Sequence, residues 1–183
     1  MYSRSVKHCR ECGAAVQYRV PDDGDTRERA ICPACGTVHY VNPLLVVGTV
    51  PYLGDKVLLC KRAIEPRRGK WTLPAGFMEM GETMAQGAAR ETAEEAGAEV
   101  EMGALFSVMS IPRVGQVHVF YLARLLHGRF NPGVESLEAR LFSEAEAPWD
   151  ELAFVTVRET LRRYFDDRRR GAFAVHDVDI GWP

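Results

Sequence analysis

The sequence predicts an α/β chain in which a mixed sheet is covered by helices on both faces. A small N-terminal module precedes it that is too poor in apolar side chains to fold alone. Three observations carry this expectation. Strand-like apolar runs alternate with two helix-like stretches between Leu44 and Arg170, the pattern of a sheet layered with helices. Four of the five cysteines crowd into the first 35 residues as two Cys-x-x-Cys pairs. The length of 183 residues, with 46% apolar and 26% charged, fits one globular domain plus a module and excludes a disordered, collagenous or low-complexity chain.

The first module spans residues 1–40. Its pairs are Cys9-x-x-Cys12 and Cys32-x-x-Cys35, each followed by glycine. Two intervening residues let both sulfurs of a pair reach one tetrahedral ion, and the glycine permits the turn that aims backbone N–H groups at sulfur. Between the pairs, AAVQYRV, PDDGD and TRERAI read as a hairpin, so the pattern is that of a zinc ribbon with Zn²⁺ held by Cys9, Cys12, Cys32 and Cys35. About 40 residues with few large apolar side chains need the metal's stabilisation. His8 and His39 are expected as surface histidines, because four thiolates already close the site. A disulfide reading is disfavoured by the odd cysteine count.

The formal net charge is −2, and the ribbon's Lys7, Arg10, Arg19, Arg27 and Arg29 are balanced by Glu11, Asp22, Asp23, Asp25 and Glu28. No basic stripe results, so nucleic acid is not the expected partner. No run reaches the ~18 apolar residues of a membrane span, and Met1–Gly13 lacks the apolar core of a secretory signal. A cytoplasmic protein with no membrane partner is expected.

The second domain is expected over 41–171. His39–Pro43 forms a stiff link. Leu44–Leu53 reads as a buried strand, Gly54-Asp55 as a turn and Lys56–Arg62 as the return strand, with Cys60 a packed core thiol. Pro66, Gly69, Pro74 and Gly76 punctuate a loop. Thr83–Ala96 reads as a helix, with a Thr83-x-x-Gln86 capping box and Gly97 as its stop. Further strands are expected at Ala104–Ser110, Val117–Leu125 and Leu137–Phe142. A closing amphipathic helix covers Val155–Arg170, with Val157, Leu161, Tyr164 and Phe165 on one side. Residues 172–183 form a tail without a clear element.

The helix after the loop concentrates acid. With Glu91 at 180° on a helical wheel, Glu95 falls at about 220° and Glu94 at about 120°. Ala85, Ala89, Thr92, Ala96 and Ala93 fill about 280° round to 20°. The expectation is a helix that lays small residues on the sheet and presents carboxylates on its other side. Like charges at this spacing repel, and a hard divalent cation relieves the repulsion while recruiting phosphate oxygens. Three glutamates alone also fit an exposed acidic face.

The full spacing adds more. Gly76, five residues, Glu82, seven residues, then Arg90-Glu91-Thr92-Ala93-Glu94-Glu95-Ala96-Gly97-Ala98 resembles the signature of the Nudix hydrolase family at all seven fixed positions. Thr92 departs from the bulky aliphatic residue usual there. The ribbon likewise resembles that of zinc-ribbon Nudix proteins. The resemblance implies an α/β/α sandwich and a Mg²⁺- or Mn²⁺-dependent pyrophosphatase acting on a nucleoside diphosphate linked to a second moiety. It implies that Glu91 and Glu95 are the principal metal ligands, with Glu94 completing the cluster and a carbonyl of Ala75 or Gly76 adding a donor. Arg90 would orient the glutamates and Glu82 would assist. A downstream glutamate is typical, best matched by Glu138 with Glu135 as runner-up.

Substrate contacts are expected from Arg62, Arg67, Arg68 and Trp71 just before the box, and from Phe77. The alternative is a solvated basic loop with Trp71 half-buried, and Phe77, Phe120 and Tyr121 also read as core residues. The SQPWPFP stretch of NADH pyrophosphatases corresponds to Ser107–Arg113, where a proline, Pro112, survives and the aromatic array does not. ADP-ribose or FAD is therefore the expected dinucleotide, ahead of NADH hydrolysis, RNA decapping or a nucleotide-sensing regulator. Ser110 and His118 form no legible Ser-His-Asp arrangement. A homodimer is implied by the resemblance alone.

Overall fold

A computed structural model describes residues 6–181 and divides the chain into two compact units, Met1–Pro43 and Leu44–Pro183. In the first unit, β1 (Gln17–Arg19), β2 (Arg29–Ile31) and β3 (Val38–His39) form a three-stranded antiparallel sheet in that order. The turn between β1 and β2 is fixed by Asp25, which accepts from the Arg27 N–H at 3.0 Å and pairs with Arg29 at 2.7 Å. Gly13 and Gly36 adopt left-handed conformations, φ 76° and 75°, one residue after each Cys-x-x-Cys pair. Among the described residues of this unit, the buried aliphatic side chains, Pro21 aside, are Ala30 and Ile31. His39 corrects the expectation of a surface residue. It faces inward opposite Ala30 and is 7% exposed, whereas His8 is exposed.

In the second unit, β4 (Leu44–Leu53) and β5 (Lys56–Arg62) form the expected hairpin. The following loop carries two short strands, β6 (Trp71–Thr72) and β7 (Ala75–Phe77), which pair with β5 and β4. Then come α1 (Met84–Ala96), β8 (Val100–Ile111), β9 (Gln116–Leu125), β10 (Ser136–Phe142), α2 (Val155–Arg170) and β11 (His176–Asp179). The sheet runs β10-β5-β4-β9-β8-β11. It is mixed, because β4–β9 and β8–β11 are parallel.

Alternation along the strands sorts the core into two layers. Val57, Leu59, Phe106 and Phe120 pack with Leu161 and Tyr164 of α2. Leu58 and Cys60 pack with Ala96, and Val47 and Val119 with Ala88, of α1. The helices therefore cover opposite faces, as an α/β/α sandwich requires, and Cys60 is a fully buried thiol. β8 begins four residues before the expected Ala104, its ladder shifting register between Met102 and Leu105.

The tail is also corrected. Residues 176–179 form a strand beside β8, held by the side chain of Asp167, which accepts from the Ala174 N–H at 3.1 Å and lies 2.7 Å from His176 Nε2. Among the described residues, no helix is long and apolar enough to cross a membrane.

Candidate active site

Thr83 caps α1. Its hydroxyl accepts from the Gln86 N–H at 3.2 Å, and the Gln86 side chain accepts from the Thr83 N–H at 2.8 Å. Gly97, with φ 56°, closes the other end. Between them the buried residues are Gly87, Ala88, Thr92, Glu95 and Ala96. On the wheel these span about 140° round to 320°, with Glu95 at the centre. The expected division into a small packing face and an opposite acidic face is thus corrected: Ala93 and Glu94 are exposed, and Glu95, 7% exposed, points inward.

Two features allow a buried carboxylate there. The Glu95 side chain accepts from the Ala75 N–H at 3.3 Å, and β7 supplies that donor from alongside β4. Beside it, the Glu91 carboxyl lies so close to Gly76 that a Cβ at that position would come within 2.4 Å of it. Only glycine leaves room for this approach. Burial pushes the Glu95 carboxyl up to about 8 against the pull of the Ala75 N–H, and burial also raises Glu91 against the pull of Arg90.

Arg90 gathers the remaining acid. Its guanidinium donates to both oxygens of Glu82 at 3.0 and 2.8 Å, to Glu91 at 2.7 Å and to Glu94 at 3.1 Å, and to the Phe77 carbonyl at 3.3 Å. Glu82 also accepts from the Glu79 N–H at 2.7 Å, and hydrogen bonds from Arg90 hold its carboxyl down to about 2. The oxygens of Glu82 are committed to tying the loop before α1 to the middle of the helix. Thr92, the departure from the usual aliphatic residue, donates to the Ala88 carbonyl at 2.8 Å. It sits 2.6 Å from the hydroxyl of Thr49 on β4, both side chains being buried.

The structure separates the two downstream glutamates. Glu138, Arg140 and Phe142 project to the sheet face covered by α2, with the Arg140 guanidinium over the Phe142 ring, whereas Ala139 and Leu141 pack on the α1 side. A bulge at Leu137 sets this register. Glu138 therefore lies across the sheet from Glu91 and Glu95. Glu135 is on their side, and its charge adds to the upward pull on both carboxyls.

The segment that brings Glu135 there was not read from the sequence. The Asn131 N–H donates to the Ala96 carbonyl at 2.8 Å and the Gly133 N–H to the Glu95 carbonyl at 3.0 Å, so residues 131–135 cap the last turn of α1. The Asn131-Pro132-Gly133 turn composition was the available signal.

Of the expected substrate contacts, Arg62 lies close enough to pull the Glu95 carboxyl down, and donates to the Pro66 carbonyl at 2.8 Å. Arg67 and Arg68 are exposed, and Phe77 is 51% exposed. Trp71 is corrected: it is 5% exposed and edge-packed on Phe142, so its ring is a core element with no free face for stacking. The two ring nitrogens of His118 lie 3.2 Å from Thr156 and 3.0 Å from Gln116, and burial pushes it down to about 4; it forms no nucleophilic triad.

In the first unit the Sγ atoms of Cys9, Cys12, Cys32 and Cys35 all lie within 4.8 Å of one another, with Cys12 3.5 Å from Cys32 and 3.6 Å from Cys35. Four sulfurs about 2.3 Å from one ion stand about 3.8 Å apart, so the set fits a tetrahedral thiolate site. The Glu11 N–H points at Cys9 Sγ at 3.4 Å.

Residues 43–167 match the NUDIX domain. The chain belongs to the NUDIX family. Residues 7–41 match the Nudix N-terminal zinc ribbon. A crystal structure of a NUDIX hydrolase from Nitrosomonas europaea shares 52% identity with a TM-score of 0.90, covering 96% of this chain and all of that one. An ADP-ribose pyrophosphatase from Methanocaldococcus jannaschii is 31% identical over 63% of this chain and 69% of its own length. The NAD-capped RNA hydrolase NudC of Photobacterium profundum is 30% identical over 84% of this chain, which spans 57% of that relative.

Proposed function

We propose that this NUDIX hydrolase cleaves the pyrophosphate of a dinucleotide, ADP-ribose or FAD, to a nucleotide and a phosphorylated product. The observation that carries it is the pairing of two inward-facing carboxylates, Glu91 and Glu95, against the Gly76 turn, within reach of the charge of Glu135. Their oxygen donors, crowded and raised by burial, suit Mg²⁺ or Mn²⁺. Such a cation, when bound, neutralises the diphosphate and makes water a better nucleophile.

The remaining work falls to this chain's residues. Glu91 and Glu95 would hold the cation, Glu94 would extend the cluster into solvent, and a carbonyl of Ala75 or Gly76 would add a donor. Arg90 orients Glu91 and Glu94 while Glu82 anchors Arg90. Glu135 takes the proton of the attacking water as the new P–O bond forms and the bridging P–O bond breaks. Arg62, Arg67 and Arg68 receive phosphate charge. Zn²⁺ on the four cysteines has a structural role. The enzyme acts as a homodimer in the cytoplasm.

ADP-ribose is favoured by the pyrophosphatase relative and by the missing SQPWPFP array. A second reading, hydrolysis of NAD-capped RNA, is favoured by the NudC relative. Comparison of kcat/KM for ADP-ribose, FAD, NADH and NAD-capped RNA under one Mn²⁺ and one Mg²⁺ condition decides between them. Preference for ADP-ribose or FAD is expected. Preference for the capped RNA would select the second reading, and binding without turnover would mark a nucleotide sensor.

A further inference from the structure

On the sheet face away from Glu91 and Glu95, α2 carries a feature the proposed reaction does not use. Arg158, Arg162 and Arg169 fall within about 40° of one another on the helical wheel, a stripe on the side of α2 turned toward the loop that follows β10. Between stripe and loop lies an open-sided pocket of about 420 Å³ lined by these arginines, Trp149, Glu144 and Asp166. That volume is in the range of small-ligand sites.

The pocket is built. The Trp149 indole N–H donates to the Glu144 carbonyl at 3.1 Å and its ring edge meets Phe165, so the ring is held in place. Arg158 donates to the Trp149 carbonyl, which tethers its guanidinium beside the indole. Arg169 is shared by Glu144 and Asp166 and is electrically satisfied. Arg162 has only a long 3.7 Å contact to Glu159, with its side chain 63% exposed. Two guanidinium groups one helical turn apart, Arg158 and Arg162, thus retain unused N–H donors on the pocket.

The geometry points to a site for a nucleoside 5′-monophosphate. Two planar guanidinium forks match the oxygens of one phosphate. A half-buried, fixed indole offers a face to a base. Glu144 and Asp166 each present Arg169 with one oxygen and retain another, which suits ribose hydroxyls as donors. The same two carboxylates disfavour a longer phosphodiester strand, because a second phosphate would meet like charge.

Isothermal titration of AMP into the 183-residue chain, in buffer without added Mg²⁺ or Mn²⁺ and without chelator, tests this. One site per chain is expected, with adenosine and inorganic phosphate each binding at least about tenfold more weakly. Arg162→Gln, at a largely exposed side chain that the fold does not need, should weaken AMP by at least about tenfold. Glu91→Gln should leave AMP binding unchanged. Absence of AMP binding overturns the proposal. So does binding lost in Glu91→Gln but kept in Arg162→Gln, which would put AMP at the glutamates. Adenosine binding equal to AMP would remove the phosphate role, and an Arg162-dependent RNA oligomer binding more tightly than AMP would make the groove a strand site. Apart from binding that depends on Glu91, these results do not bear on the dinucleotide reaction itself.

Discussion

The four cysteines and the glutamate face are both suited to cations, and they are held in shape by opposite means. In the first unit the sulfurs already converge, but little else does: among the described residues, Ala30 and Ile31 are the buried aliphatic ones apart from Pro21. In the second unit the carboxylates are placed by a large core that includes Phe106, Phe120, Leu161 and Tyr164, and their oxygens are spread among Arg90 and the Ala75 N–H. The ribbon's geometry therefore needs an ion to hold it, whereas the glutamate face has its geometry without one.

The largest effect expected from this contrast is on folding. Stripping the thiolate-bound ion should unfold residues 1–40, since structural zinc supplies about 10–16 kcal/mol of apparent binding energy to such modules. The sandwich from Leu44 onward should keep its amide protection. Hydrogen exchange with and without a thiol-competitive chelator measures both. Protection retained in β1 and β2 after metal loss would break the contrast.

Next in size are Glu91→Gln and Glu95→Gln, each expected to lower kcat by about 10²–10⁴-fold with the zinc content unchanged. Glu95 adds a pH signature. Its carboxyl is raised to about 8 in the metal-free fold, so its contribution to stability is full below the ordinary carboxylate range and is lost as pH rises through about 8. Metal-free Glu95→Gln should therefore gain in Tm relative to the parent as pH climbs from 5 to 9. Mn²⁺ affinity of the parent should rise over the same window, by up to about tenfold per unit below pH 8, as the competing proton leaves. A flat affinity profile would remove Glu95 from the metal site.

A smaller effect separates two nearby glutamates. Glu135→Gln should lower kcat by about 10²-fold, the lower end of the range for a proton acceptor. Glu138→Gln, across the sheet, should change it less than twofold. Equal losses in the two would mean that the register of β10 is not what directs acid to the site.

That pair also shows where the sequence stops being readable. The bounds of β4, β5 and α2 were legible because a Gly-Asp turn separates the first two and an amphipathic stripe marks the third. The box spacing made Glu91, Glu95 and Arg90 legible as a group. The side of the sheet on which Glu138 lies is not legible, because the bulge at Leu137 breaks the two-residue alternation and no composition rule marks it. The wheel misplaced the buried side of α1 because it sorted by polarity, while the fold buries Glu95 by giving it the Ala75 N–H. His176–Asp179 reads as polar tail, and becomes a strand only through β8 and Asp167, partners distant in sequence. Trp71 looked available for a ligand because its burial depends on Phe142, 71 residues further on.

The smallest effect concerns how α1 is seated. Thr92 and Thr49 form a buried hydroxyl pair 2.6 Å apart where the family favours an aliphatic residue, and Thr92 donates onward to the Ala88 carbonyl. In that chain the Thr49 hydroxyl is the donor to Thr92. Thr92→Val leaves Thr49 buried without an acceptor and should cost about 1–3 kcal/mol. Thr49→Val keeps the Thr92 bond to Ala88 and should cost less, about 0.5–1.5 kcal/mol. The double variant replaces both partners with groups of like shape, so its stability should return to within about 1 kcal/mol of the parent. Denaturant melts of the four proteins give the coupling. Because neither hydroxyl touches Glu91 or Glu95, kcat of the double variant at saturating Mn²⁺ should stay within about twofold. Additive losses would show that the pair is not a single hydrogen-bonded unit. A large loss of kcat without loss of stability would show that the seating of α1 on β4 sets the positions of its carboxylates more tightly than Gly76 and Arg90 do.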